Sequence, residues 1–297
     1  MTPKEVLSHE PKVLTDEQRR SYFENGYLLV EDIISREWIG RLLDTTHQMV
    51  EKSRSITKSD EVFDLEPSHT ADDPRLRRLS SPPDHHPVYW EYASESILVD
   101  VAADLVGPDV KFHHSKLNFK GADGGEEVKW HQDITYWPHT NYSPLTIGTY
   151  LYDVGDEQGP LGVIPGSHEG ELFSQYNEAG EWVGCIADAD LADSGKAIYL
   201  TGLAGSITIH NCRTIHGSKK NLSGAGRPLL LYTYTSADAF SYTSNPIKSR
   251  YDGTILRGKS ARWAHHDPRA CLIPPDWSGG YTSLYALQQQ EDKETTD

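Results

Sequence analysis

Trp130-His131-Gln132-Asp133 decides the reading of this chain, taken together with His216 far downstream. On an extended strand, side chains two apart share a face, so His131 and Asp133 present an imidazole and a carboxylate side by side. Two histidines and one carboxylate on one face of an octahedral metal leave three positions open, which suits non-haem Fe(II) activating oxygen. A third ligand is therefore expected from elsewhere in the chain. His216 qualifies, because it stands where the β-branched run Ile207-Thr208-Ile209-His210 leads into the polar turn Asn211-Cys212-Arg213-Thr214. An isolated H-x-D pair in a chain with 14 histidines is a weak signal, and the downstream context gives it weight.

That context is His216-Gly217-Ser218, then Asn221, then Arg227 at the head of the apolar run Pro228-Leu229-Leu230-Leu231-Tyr232. It supplies the second half of a double-stranded β-helix, in which a guanidinium fork matches a dicarboxylate co-substrate bidentately, as an ammonium cannot. Together with the loop Pro165-Gly166-Ser167-His168, these stretches resemble the phytanoyl-CoA dioxygenase family of Fe(II)- and 2-oxoglutarate-dependent oxygenases, from about residue 14 to about residue 237.

The resemblance implies a mainly β fold with helical additions: a double-stranded β-helix (jelly-roll, cupin-like) core braced by N-terminal helices. It makes His131, Asp133 and His216 the iron ligands, Arg227 the anchor of the distal carboxylate of 2-oxoglutarate, and Ser218 its assistant. The strand 116–120 matches one whose alternate side chains line the co-substrate pocket, which nominates Lys116 and Asn118. Thr149 stands where several members have a tryptophan, implying a roomier or more polar wall. The implied reaction is oxidation of a small organic molecule by molecular oxygen, with 2-oxoglutarate released as succinate and CO2. Retention of Asp133 favours oxygenation over halogenation. Two alternatives stay open at this point: a non-catalytic small-molecule-binding β-barrel, and a cupin-like metalloenzyme without 2-oxoglutarate.

A chain of 297 residues with 37% hydrophobic and 24% charged residues has the composition of a soluble globular protein, expected here as one oxygenase domain over 1–297. Its formal charge of -16 opposes phosphate backbones and anionic lipid surfaces, so neither nucleic acid nor membrane is an expected partner. Cys185, Cys212 and Cys271 are too few and scattered for a disulfide framework, which fits a cytoplasmic setting. Residues 1–12 carry no apolar core of signal-peptide length, and no apolar run reaches the roughly 18 residues of a membrane span.

Along the chain, 1–13 is expected as a loose N-terminal tail. Thr15-Asp16-Glu17-Gln18 reads as a capping box opening a helix that stops near Asn25-Gly26, and Ser35 as the cap of a second helix with Trp38, Ile39, Leu42, Leu43, Met49 and Val50 on its apolar stripe. The segment 52–88, rich in charge and proline, is expected as a candidate lid. A helix is expected over 94–106, and strands over 110–119, 128–134, 145–154, 205–210 and 227–235. Adjacent histidines point apart on most backbones, so His85-His86, His113-His114 and His265-His266 are read as solvated pairs rather than ligands. The tail 236–285 is expected to wrap the barrel, and 288–297 to be disordered.

Overall fold

The structure, a computed structural model, describes residues 1–122, 125–188, 192–279 and 288. Thr2 caps α1 (Pro3–Leu7) through a reciprocal pair of bonds with Glu5, and Thr15 caps α2 (Asp16–Asn25) in the same way through Gln18, as its T-x-x-Q signature predicts. Gly26 ends α2 at φ 80°, and a Cβ there would stand 2.5 Å from Nδ1 of His168. The segment 1–13 is packed rather than loose. Val6 is buried, and the Asp104 carboxylate accepts the backbone N–H groups of Lys12, Val13 and Leu14 at 2.7–2.8 Å. The partner that orders this segment lies far away in sequence, so local composition could not reveal it.

After β1 (Tyr27–Val30) comes α3 (Arg36–Ser53), capped by Ser35 and burying Ile39, Leu42 and Met49. The candidate-lid segment 52–88 contains a hairpin, β2 (Phe63–Leu65) and β3 (Leu76–Ser80), which extends the main sheet. The prolines of this segment have specific places. Pro67 and Pro74 sit in the hairpin connection, while Pro82, Pro83 and Pro87 occupy the first turns of α4 (Pro82–His85) and α5 (Pro87–Glu95), where proline's missing N–H costs nothing. The single helix expected over 94–106 is broken at Ser96, whose ψ of 176° is extended, before α6 (Leu98–Val106).

The strands that follow are β4 (Val110–Asn118), β5 (Val128–His131), β6 (Leu145–Tyr150), β7 (Leu161–Val163), β8 (Ile198–Leu200), β9 (Ile207–Asn211), β10 (His216–Ser218), β11 (Leu229–Ser236) and β12 (Ile255–Arg257). They form two antiparallel sheets. The larger runs β1-β9-β6-β11-β4-β3-β2, with β12 also paired to β4, and the smaller runs β5-β10-β7-β8. The mainly β, jelly-roll architecture expected from the sequence is the one observed, and α3, α5 and α6 brace the outer face of the larger sheet.

Both faces of that sheet are buried; every residue of β6, β9 and β11 is. On the outer face, Leu145, Ile147, Ile207, Ile209, Leu230, Tyr232 and Tyr234 join the helices in one apolar core. On the inner face, register brings His114 opposite Thr233, Thr233 opposite Thr146, and Thr146 opposite His210, a polar row across four strands. A β-bulge between the pairs Thr233–His114 and Tyr234–Phe112 leaves His113 without a partner of its own and switches the side-chain parity of β4. Hence Phe112 and Val110 join the outer core, while His113 and His114 are both buried, with rings 4.7 Å apart. The reading of that pair as solvated is corrected by this bulge. No helix among the described residues is long and apolar enough to cross a membrane.

Candidate metal centre and co-substrate pocket

His131 ends β5, Gln132 is still extended at φ -123° and ψ 121°, and Asp133 opens a single 3-10 turn. The strand stops earlier than the expected 128–134, yet the alternation survives long enough to set His131 and Asp133 on one side. His216 heads β10 and is the direct cross-strand partner of His131. One ligating atom from each of His131, Asp133 and His216 falls within a 4.8 Å cluster, and all three residues are buried. Asp133 Oδ1 lies 3.8 Å from Nε2 of His131 and 3.7 Å from Nε2 of His216.

The other ring nitrogens are committed. His131 Nδ1–H donates to the Lys129 carbonyl at 2.8 Å and His216 Nδ1–H to the Thr214 carbonyl at 2.9 Å, which leaves both Nε2 lone pairs facing inward. Burial depresses both imidazoles, His131 to about 4 and His216 well below its usual range, so both are neutral near pH 7. Burial alone would raise the Asp133 carboxyl, but Lys116, His216 and His210 more than reverse this and hold it well below the usual carboxylate range. Two neutral imidazoles and an ionised carboxylate with converging lone pairs form a donor set that fits a divalent iron.

Beside the cluster runs a pocket lined by Lys116, Asn118, Lys120, Ser218, Arg227 and Leu231, as well as by His131 and His216. Arg227 is buried just before β11, with its guanidinium donating to the Gly159 carbonyl at 2.6 Å. Ser218 lies two residues beyond His216 on β10, and Lys116 Nζ sits 3.9 Å from Asp133 Oδ1. Asn118 Oδ1 accepts from Arg78 Nε at 2.9 Å. Seven of the eight residues nominated from sequence are thus brought to one place. Thr149 is not among them. It pairs with Leu230 and Ile207, on the outer face, and its hydroxyl meets that of Tyr92 on α5 at 2.9 Å. The inward position is its neighbour Gly148, where a Cβ would stand 2.7 Å from Thr208 Oγ1 and 3.0–3.1 Å from Leu229 and Leu231. Since side chains alternate with a period of two, an offset of one residue moves the assignment to the other face.

Several residues escaped the sequence reading. Lys120 is buried, with its amine donating to the carbonyls of Glu126, Ser218 and Lys219. Burial and Arg227 press its pKa down to about 6, against which three carbonyl acceptors favour the ammonium. His210 Nε2 lies 3.4 Å from Asp133 Oδ2, with its ring 4.2 Å from that of His216. The alternation Ile207-Thr208-Ile209-His210 was the signal available for it. Of the aromatics after the H-x-D pair, Tyr136 alone meets a ligand, edge-on to His131 at 5.8 Å. Trp182 packs on Tyr136, and Trp277 packs on Trp182 and donates to the Tyr136 carbonyl, so the 170–186 excursion and the C-terminal tail meet at the rim. Trp137 packs against His113 and His114, and Tyr142 lies between the guanidiniums of Arg213 and Arg269. Gln288, expected in a disordered tail, is buried and bonds to Lys129 and Gly184; 289–297 lie outside the described residues.

The phytanoyl-CoA dioxygenase (PhyH) profile matches residues 22–229, a span that contains the whole cluster and Arg227. The chain belongs to the phytanoyl-CoA dioxygenase family. A probable alpha-ketoglutarate-dependent hypophosphite dioxygenase from Stutzerimonas stutzeri is 30% identical over 262 residues, covering 87% of this chain and 90% of that protein. An ectoine dioxygenase from Bordetella parapertussis is 26% identical, covering 79% of each. A crystal structure of EctD from S. alaskensis with 2-oxoglutarate and 5-hydroxyectoine superposes with a TM-score of 0.63 at 22% identity, covering 94% of this chain and 93% of that one, which speaks for the fold. As a member of the family, the protein is a 2-oxoglutarate-dependent non-haem iron dioxygenase.

Proposed function

We infer that this dioxygenase uses His131, Asp133 and His216 to hold Fe(II), and Arg227 with Ser218 to hold the distal carboxylate of 2-oxoglutarate, while it oxidises a small polar molecule. The observation that carries this reading is the convergence of two neutral Nε2 atoms and Asp133 Oδ1 on a pocket that also contains Arg227. When bound, iron with 2-oxoglutarate supplies the oxidising power, drawing on molecular oxygen and releasing succinate and CO2. The protein's own residues position and shield. The backbone carbonyls of Lys129 and Thr214 aim the imidazoles, Arg227 offers the co-substrate a two-pronged partner, and the rings of Tyr136, Trp182 and Trp277 keep one side of the centre dry.

A small anionic or zwitterionic substrate fits best, because buried Arg78 and half-buried Lys116 add positive charge to the same inner wall in a chain of net charge -16. Relatives named for hypophosphite, ectoine and L-proline, all small and polar, support that class over an acyl-CoA ester. The two sheets and their bracing helices act as one oxygenase unit, working in the reducing cytoplasm apart from nucleic acid and membrane; the three free cysteines and the acidic charge support this setting. The test is stoichiometric succinate formation from 2-oxoglutarate with Fe(II) and oxygen, screened against small anions and zwitterions. No succinate with any of them would refute the reading.

A further inference from the structure

The Asp133 carboxylate is held from behind by a chain of polar side chains that the reaction itself does not use. Its outer oxygen, Oδ2, lies 3.2 Å from Thr146 Oγ1 and 3.4 Å from His210 Nε2. Thr146 Oγ1 lies 3.0 Å from Thr233 Oγ1, which lies 3.4 Å from His114 Nε2, and His114 Nδ1 lies 2.5 Å from His113 Nδ1. These are the inner-face row of the larger sheet and the histidine that the bulge adds to it.

An ionised carboxylate only accepts hydrogen bonds, and that fixes the direction of every later link. The Thr146 hydroxyl donates to Asp133, so its oxygen accepts from the Thr233 hydroxyl, whose oxygen in turn accepts from His114 Nε2–H. His114 is then bare at Nδ1, and His113 must supply the proton there through Nδ1–H. By the same rule His210 donates through Nε2–H. This direction leaves an unprotonated nitrogen at each end, His113 Nε2 and His210 Nδ1, and both are buried with no hydrogen-bond partner among the described residues. At those ends a bare lone pair is cheaper to bury than an N–H.

We propose that His113, His114, Thr233 and Thr146 form a one-way hydrogen-bond chain that, with His210, occupies Asp133 Oδ2 and so holds Asp133 as a single-oxygen ligand. With Oδ2 engaged by two donors, only Oδ1 faces the ligand imidazoles of His131 and His216, and an open position at the metal is kept from a second carboxylate oxygen. The residues of the chain are positioning residues. The proposal rests on the metal-site reading above, and its test separates the two.

Histidine-selective 15N NMR of the metal-free protein, with assignments made from single substitutions, reads the tautomers directly. The expected result is Nε2–H at His114 and Nδ1–H at His113; the reverse tautomer at His114 overturns the chain. Cobalt(II) then serves as the probe of the ligand. Thr146→Val, which keeps the shape and removes the hydroxyl, is expected to bind Co(II) about 10- to 100-fold more weakly. Thr146→Ser, which restores the donor, is expected to stay within about threefold of the parent. An undiminished affinity in Thr146→Val overturns the proposal, whereas a parent protein that takes up no Co(II) at the cluster overturns the underlying reading of the site.

Discussion

The two faces of the larger sheet are both largely buried and chemically opposite. The outer face is a hydrocarbon and tyrosine surface locked against α3, α5 and α6, with the Tyr232 and Tyr234 hydroxyls donating to carbonyls of α5. The inner face carries His114, Thr146, Thr233 and His210 at the same burial, with Lys116 and Asn118 half-buried at the pocket. In this jelly roll, alternation along a strand therefore sorts residues by chemistry, not by exposure. Which of two adjacent positions is functional depends on parity alone, and a bulge can reverse parity in mid-strand.

The contrast breaks most completely at the ligands. His216→Ala removes one imidazole from the inner side, and both the weak visible band of the anaerobic Fe(II)·2-oxoglutarate complex and succinate production should vanish. Absorption spectroscopy checks the first, and retention of the parent far-UV circular dichroism separates ligand loss from misfolding. Arg227→Lys keeps the charge and loses the fork. 2-Oxoglutarate should bind more weakly by roughly 2 kcal/mol or more while Fe(II) affinity is nearly unchanged, as separate titrations of the two would show.

A third prediction uses pH. Burial depresses His139 to about 4, and its ring is neutral in the fold but takes up a proton on unfolding near its ordinary 6.5. Its neutral form is therefore no burden above pH 6.5, and stability falls as pH drops from 6.5 towards 4, by roughly 3 kcal/mol for a shift of that size. Denaturant midpoints across that window should decline, and His139→Gln should flatten the decline. His114, depressed to about 3 by burial, adds to the same slope.

The smallest effects come from adjacent residues on opposite faces. Gly148→Ala pushes a methyl group into Thr208, Leu229 and Leu231, which should cost about 1–3 kcal/mol and alter the apparent KM for substrate. Thr149→Val removes one bond to Tyr92, about 1 kcal/mol, and should leave both KM values untouched. A KM change in Thr149→Val without one in Gly148→Ala would reverse the assignment of faces.

Much of the centre was legible because it is local or periodic. H-x-D needs only a strand's period of two, the capping box at Thr15 and the N-cap Ser35 mark helix starts by residue type, and Arg227 follows His216 at short range. What was lost depends on long-range pairing. Whether His113 and His114 both point inward is settled by the register of β4 against β11, not by β4 itself. The order in 1–14 depends on Asp104, and the fate of the proline-rich segment on an open edge at β4. Thr149 was assigned one residue out of phase, since resemblance located the strand but not its parity.

The cross-strand pairing of His131 with His216 has a mechanical consequence. Any ion held between them rivets β5 to β10, two strands from distant parts of the chain, and the smaller sheet cannot be peeled open without releasing it. The ion is then a fastener as well as a reagent. The melting temperature should climb with free divalent metal, roughly as the logarithm of its concentration above the dissociation constant, even for metals that support no turnover.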